Sequence, residues 1–375
     1  MPAGRYVMTV RGYKAFEPAH FPLNIKFSPA LYRLSERAVK SLGTLDALEV
    51  ILPNIDLLIR PYALKEALLS SEIEGTQSTL TEVMSEKETH SKNVNVREVQ
   101  NYERAINFGM ENLSRPTGLP LSLRLLKELH RILMTNVRGG EPQKTPGEFR
   151  TSQNWIGGST VQDAFYVPCS PETLGEHLDN FEKAIHVEDF PELIKAALLH
   201  YQFETIHPFN DGNGRIGRML ITLFLMDKKL LNRPLLYLSL YFKQYKTVYY
   251  DILTHVRETG DYEKWVEFFL NGVIRVSETI AQTTKKILLL KESVKQKTKD
   301  PYNLVDYLFR DPFVDAEKIR NYTGTALKTP YGIISSFVER GILVQQNQGK
   351  RNRIYAFKDY VDILNDTTLL EGRGQ

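Results

Sequence analysis

One imidazole, one carboxylate and two guanidiniums fall within the string His207-Pro208-Phe209-Asn210-Asp211-Gly212-Asn213-Gly214-Arg215-Ile216-Gly217-Arg218. His207 follows a helical stretch, Glu192 to Tyr201, that Pro208 keeps from continuing smoothly, so its side chain is placed at a helix exit where it can face a cleft. Histidine is the side chain suited to removing a proton near neutrality. Gly212 and Gly214 bracket Asn213 and let backbone N–H groups turn inward towards a ligand. A helix starting near Arg215 and running through Leu220 and Leu223 adds the positive end of its dipole, which makes the loop an anion site. Arg215 and Arg218 share a face of that helix and offer two forks to successive phosphates. Asp211 supplies an oxygen ligand of the kind Mg²⁺ takes in phosphate sites. A base, a metal ligand, an anion cradle and two phosphate clamps describe a phosphoryl- or nucleotidyl-transfer centre.

A second string, Ser70-Ser71-Glu72-Ile73-Glu74-Gly75, reads as a helix end with Gly75 as the stop. Two carboxylates stand where the helix dipole is already negative, so a cation from elsewhere must compensate at least one of them. Glu72 is read as the solvated one.

The first string resembles the signature of the Fic family, His-Pro-Phe-x-Asp/Glu-Gly-Asn-Gly-Arg-x-x-Arg, at every specified position. The resemblance extends over roughly residues 60–275. It implies transfer of AMP from ATP to a Ser, Thr or Tyr hydroxyl of a target protein or of the chain itself. In that reading His207 deprotonates the hydroxyl and Asp211 holds Mg²⁺ between the α- and β-phosphates. Gly212, Asn213 and Gly214 form the hole for the α-phosphate. Arg215 engages the β-phosphate and Arg218 the γ-phosphate, with Ile216 and Gly217 also in the ATP-binding segment. Tyr249 and Tyr250 fall where relatives pack aromatics against adenine. Ser70, Glu74 and Gly75 are in register with the family's inhibitory motif, Ser/Thr-x-x-x-Glu-Gly/Asn. Their place before the core is similar to the class with an N-terminal inhibitory helix, which implies that Glu74 pairs with Arg218 and blocks the γ-phosphate. Ile156, Gly157, Gly158 and Ser159 lie in a segment similar to the family's flap, which docks the target as an edge strand. Val167-Pro168-Cys169 departs from the two prolines the family often has there. Relatives commonly form homodimers. Two other activities stay open on the resemblance: removal of AMP from a modified protein, with Glu74 orienting a water, and transfer from another nucleotide donor. The intact pair of arginines favours ATP.

The elements that must position these groups are mainly α-helical. The expected fold is a Fic helical core with a β-hairpin flap, followed by a small winged-helix domain. Residues 1–120 form an N-terminal helical region, with the inhibitory helix at about 61–75. Within it, Ser28 and Pro29 open a helix that Gly43 stops, with Leu31, Leu34, Ala38 and Leu42 at helical spacing. Further helices are expected at Pro61–Ser71, Asn95–Leu113 and Leu121–Val137. Residues 121–280 form the core, with the flap at 145–170 and the motif at 207–218. Gly157 and Gly158 lie between β-formers such as Trp155, Phe165 and Val167, which predicts the hairpin. Residues 281–302 read as a basic linker helix, solvated and rich in lysine. Residues 303–375 read as helices near Leu304–Phe309 and Asp315–Tyr322, a turn at Gly324, and a third helix with Thr329 as cap and Pro330 in its first turn. Strands at Ile342–Gln346 and Arg353–Phe357, around Gln348 and Gly349, complete the winged-helix pattern. DNA is the less favoured partner. The third helix carries Arg340 alone, and only the wing is basic, with Lys350, Arg351 and Arg353. A target-recruiting or dimerising module fits better.

Composition sets the outer limits. Among 375 residues, 42% are hydrophobic and 25% charged, ordinary for a globular protein with a sizeable core. A net charge of +3 is too small to argue for nucleic acid or membrane. The single cysteine, Cys169, excludes an internal disulfide and fits a reducing compartment. No apolar run approaches the roughly 20 residues of a membrane span. Met1–Arg11 lacks the apolar segment of a secretory signal. The expectation is a cytoplasmic protein that does not enter a membrane.

Overall fold

The computed structural model describes residues 3–51, 56–85, 93–137, 145–326, 328–347 and 353–366. The chain opens with an antiparallel pair, β1 (Gly4–Met8) and β2 (Lys14–Pro18), then α1 (Pro29–Ile51), α2 (Asp56–Ile73), α3 (Leu80–Ser85), α4 (Val94–Ser114) and α5 (Leu123–Met134). After the flap region come α6 (Pro171–His186), α7 (Glu192–Ile206), α8 (Asn213–Asp227), α9 (Ser239–Gln244), α10 (Lys246–Thr259) and α11 (Tyr262–Lys297). The C-terminal unit contains α12 (Leu304–Arg310), β3 (Phe313–Val314), α13 (Ala316–Thr323), α14 (Thr329–Glu339), β4 (Val344–Gln345), β5 (Tyr355–Ala356) and α15 (Lys358–Asn365). Its small sheet is antiparallel in the order β3-β5-β4. No helix is long and apolar enough to cross a membrane among the described residues.

The core is built around α7, which is buried on every side from Leu193 to Ile206. Trp265 on α11 fastens to it through an indole N–H donated to Ala197 O at 2.8 Å. α8 lies against α7, α4 and α5, while α1 runs along α11. This places the exit of α7 and the entry of α8, the two ends of the His207–Arg218 string, side by side in a rigid setting.

Several expectations are corrected by packing. Gly43 does not stop α1, which continues to Ile51 because Leu42 and Leu45 bury on the same face and outweigh the roughly 1 kcal/mol cost of an interior glycine. α5 is shorter than expected, capped by Ser122, whose side chain accepts Leu125 N–H at 3.4 Å. The flap contains no continuous strand. It has one antiparallel bridge, Ile156 with Tyr166, held by Ile156 N–H to Tyr166 O at 2.8 Å. Most of the lysine-rich stretch expected as a solvated linker lies within α11, where Lys291 is buried and pairs with Asp306 at 2.8 Å. Pro330 sits in the first turn of α14, but Lys328 rather than Thr329 occupies the cap, with no side-chain capping bond. β1 and β2 were not expected. Gln348, Gly349, Lys350 and Arg351 lie outside the described residues.

Candidate active site

His207 ends α7 in the left-handed region, at φ 50° and ψ 60°. That conformation costs a non-glycine residue on the order of 1 kcal/mol and needs outside support. Its N–H donates to Phe203 O at 2.9 Å. Its carbonyl accepts from Arg150 Nε at 3.0 Å and Asn154 Nδ2 at 3.2 Å. Arg150 is buried and also donates to Cys169 O at 2.6 Å, so it bolts the flap base to the histidine. The His207 Nδ1 lies 3.3 Å from Glu204 O. A carbonyl only accepts, so Nδ1 carries the hydrogen there and Nε2 keeps its lone pair. Burial pushes the imidazole down to about 4, opposed by the Glu204 carbonyl and Glu74 and aided by Arg150 and Arg257.

The loop that follows is closed by Asn213, whose side chain accepts Phe209 N–H and donates to Phe209 O, both at 2.8 Å. The Asn213 amide is therefore spent on shape. Gly212 caps α8 at φ 76°, and a Cβ there would press on Met134 Sδ at 3.0 Å. Asp211 accepts Gly212 N–H at 2.6 Å and stands 3.8 Å from Arg215. His130 on α5 donates from Nε2 to Asp211 O at 3.0 Å and accepts Gly147 N–H at 2.9 Å. Its ring stacks on Phe209, with centroids 3.8 Å apart. His130 thus straps the loop to the start of the flap. Beyond the cap, the first N–H groups of α8 have no acceptor within the helix and present its positive end.

The two arginines turn to different neighbours. Arg215 is buried beside α5, with Nη2 on Met134 Sδ at 3.6 Å, and its Nε and Nη1 have no hydrogen-bond partner. Arg218 is fully engaged with α2. Its Nε donates to Ser70 Oγ at 2.8 Å, and Nη2 donates to Ser70 O at 2.9 Å and to Glu74 Oε1 at 2.7 Å. Burial pushes the Glu74 carboxyl up, but Arg218, Arg215 and His207 together hold it below its ordinary value. The rest of the α2 terminus is also compensated by cations, as the dipole requires. Lys246 Nζ donates to Ile73 O at 2.6 Å, and Glu72, expected to be solvated, pairs with Lys243 at 2.6 Å.

Tyr249 and Tyr250 separate. Tyr249 is sealed in the core, with its hydroxyl 2.8 Å from His200 Nε2, so it presents no face to a ligand. Tyr250, its ring tilted against that of Tyr249 with centroids 4.9 Å apart, leaves 40% of its surface open. In the flap, Gly157 and Gly158 take φ 71° and 69°. Ser159 and Thr160 donate their N–H groups to Asp163 at 3.0 and 2.6 Å. Trp155, Ile156 and Phe165 are exposed on it.

Residues 120–225 match the family model described as Fic, Fic/DOC family, and residues 32–111 match the one described as Fic/DOC family N-terminal. The chain carries matches to both Fic/DOC models. It is 30% identical over 248 residues to a protein named protein adenylyltransferase Fic from Drosophila erecta, covering 63% of this chain and 46% of that protein. It is 31% identical over 170 residues to the protein of the same name from Aedes aegypti, covering 44% and 30%. The chain spans less than half the length of these relatives. Among solved structures, a Fic family protein from Desulfovibrio desulfuricans G20 aligns with a TM-score of 0.58 at 18% identity, covering 95% of this chain and 100% of that one. Fic-1 from C. elegans aligns at 0.54 and 22% identity, covering 68% and 74%. These two likenesses bear on the fold.

Within the Fic match, sequence reasoning missed Glu204. It lies one turn before His207, its Oε1 is buried without a hydrogen-bond partner, and a Cβ at Gly217 would collide with it. Burial pushes its carboxyl up to about 7, against Arg218. Sequence gives no signal for it, because a glutamate on a helix is ordinarily a solvated one. His130 and Arg150 were missed as site residues because their partners are backbone atoms far along the chain. Among the described residues no group of three or more His, Cys, Asp or Glu side chains could hold a metal by itself. Asp211 is a single, partly exposed carboxylate, which suits Mg²⁺ because that ion takes most of its remaining ligands from phosphate and water.

Proposed function

We propose that the chain is a protein adenylyltransferase that moves AMP from ATP to the hydroxyl side chain of a protein and is held back by Glu74. The observation that carries this reading is Arg215, a buried guanidinium with two unpartnered nitrogens at the positive end of α8. Leaving such donors unpaired is costly, and phosphate oxygens are the natural acceptors. The His207 Nε2 lone pair takes the proton of the incoming hydroxyl as its oxygen bonds to the α-phosphorus. The bond from that phosphorus to the bridging oxygen breaks, and pyrophosphate leaves. Mg²⁺, held at Asp211, would supply charge neutralisation on the phosphates. The first N–H groups of α8 cradle the α-phosphate, and Arg215 binds the next one. Tyr250 offers the open aromatic face for adenine. Glu74 restrains the reaction by occupying the Arg218 fork that the γ-phosphate requires.

Removal of AMP is a second reading, favoured by one observation. Arg218 holds Glu74 as a carboxylate at 2.7 Å over Gly214 at the start of α8, a place from which it could also orient a water. DNA binding has less support, since Arg340, which caps α14, spends its Nη1 on Lys297 O at 2.6 Å. Incubation with ATP labelled at the α- or the γ-phosphate tests the proposal. Label on protein from the α position only is expected; label from the γ position only rejects it in favour of a kinase.

A further inference from the structure

Neither family model reaches past residue 225, and the role of the C-terminal unit has to be read from what it touches. α12 lies on α2 and β3 lies on α3, so this unit contacts the chain both before and after the turn that carries Glu74. Lys65 adds a contact with α15. It is buried in the middle of α2, and its Nζ donates to Leu364 O in the last turn of α15 at 2.5 Å, while the ammonium sits 5.0 Å over the Tyr237 ring. A cation at the negative end of a helix is favourable, and this one is shielded from water. One turn earlier, Tyr62 meets Thr284 of α11 at 3.3 Å through its hydroxyl. The C-terminal unit is itself fixed to α11, by Lys286 with Asp366 at 2.7 Å and Lys291 with Asp306 at 2.8 Å. Ser70 is five residues beyond Lys65 on the same helix, about 7.5 Å along its axis. A displacement at Lys65 is therefore delivered to the residue that holds Arg218. Glu74 lies past the helix end beside Gly75 at φ 92°, so its placement depends on where α2 stands.

We infer that the C-terminal unit regulates the site in cis: seated on α2 and α3, it keeps Glu74 on Arg218, and whatever shifts α15 away from Lys65 releases the pair. The inference rests on reading Glu74 as the restraint.

Lys65→Met keeps side-chain length and removes the ammonium. In the full chain it is expected to raise transfer from α-labelled ATP on the order of tenfold, as one charge-assisted hydrogen bond no longer biases the pair. It should also speed amide exchange across residues 69–75. In a Glu74→Gly background the same substitution should add nothing to transfer. If Lys65→Met fails to fold, Lys291→Met, which frees α12 from α11, should give a smaller change in the same direction. Unchanged transfer and unchanged exchange, alongside an activated Glu74→Gly protein, overturn the inference and leave the restraint standing. If Glu74→Gly is not activated, the restraint itself falls. Exchange then decides alone: faster exchange supports the hold of α15 on α2, and unchanged exchange overturns it.

Discussion

Glu74 Oε1 and Arg218 Nη2 stand 2.7 Å apart directly above Gly214, where a Cβ would strike both side chains. Gly214 thus does two jobs. In the proposed reading it opens the start of α8 to a phosphate, and it leaves room for a carboxylate to cross that opening. Arg218 is 2% exposed, with burial opposing its charge and Glu74 raising its pKa above the ordinary value. Arg215, three residues earlier, has no such acid partner at bonding distance. The same helix end therefore carries one satisfied guanidinium and one still short of acceptors.

Ser70→Ala is expected to loosen this pair. Arg218 Nε would lose its acceptor inside the protein, costing about 1–3 kcal/mol of stability, since Ser70 is fully buried. With one anchor gone, transfer should rise severalfold but stay below that of Glu74→Gly. Thermal unfolding and label incorporation measure the two effects separately.

His207→Ala should abolish transfer while leaving ATP binding by titration calorimetry largely intact, because the imidazole acts on the hydroxyl and not on the phosphates. In the protein that retains His207, the imidazole stays neutral until the pH approaches about 4. Transfer should therefore lose its acid limb near that value, below the ordinary histidine range of about 6.5.

The neighbouring tyrosines should respond in opposite ways. Tyr249→Phe breaks the buried bond to His200 and should cost about 1 kcal/mol of stability with little change in ATP affinity. Tyr250→Ala should leave the melting temperature nearly unchanged and weaken ATP binding by roughly tenfold through the lost ring.

Glu204 gives the pH dependence a definite sign. Its folded-state value of about 7 lies above the ordinary 4.5, so its contribution to stability is full below 4.5 and is lost as the pH rises through 7. Glu204→Gln cannot ionise. Its stability relative to the parent should therefore be higher at pH 8 than at pH 5.5, by about 1–2 kcal/mol. Paired melting curves at the two pH values measure this difference.

The placement of the candidate site was legible where it is local. His207, Asp211, Gly212, Arg215 and Arg218 are consecutive enough for helix geometry to place them, and Pro208 and Gly212 announce the break between α7 and α8. Glu74 could be singled out only by resemblance, since its partner is 144 residues away. Arg150, His130 and Glu204 were invisible because each is defined by long-range packing or by the burial of an otherwise ordinary polar residue. The helices were found by periodicity, but their ends were set by tertiary contacts, as at Gly43, where burial of Leu45 carries α1 onward. β1 and β2 escaped notice because Tyr6, Val7 and Met8 are all exposed, so no alternation marks a half-buried strand. Lys291 was misplaced for the reverse reason. A lysine run reads as solvated until packing buries one of its members beside an acid, as it does Lys291 beside Asp306.

The most direct test is the intact mass of the full chain carrying Glu74→Gly, after incubation with ATP and Mg²⁺. The prediction is an adduct with the mass of AMP less one water, far more abundant than on the parent protein and absent when His207→Ala is added. A protein that binds ATP yet stays unmodified in the presence of candidate acceptors that also stay unmodified, or one that gains only a phosphate, would contradict adenylyl transfer restrained by Glu74.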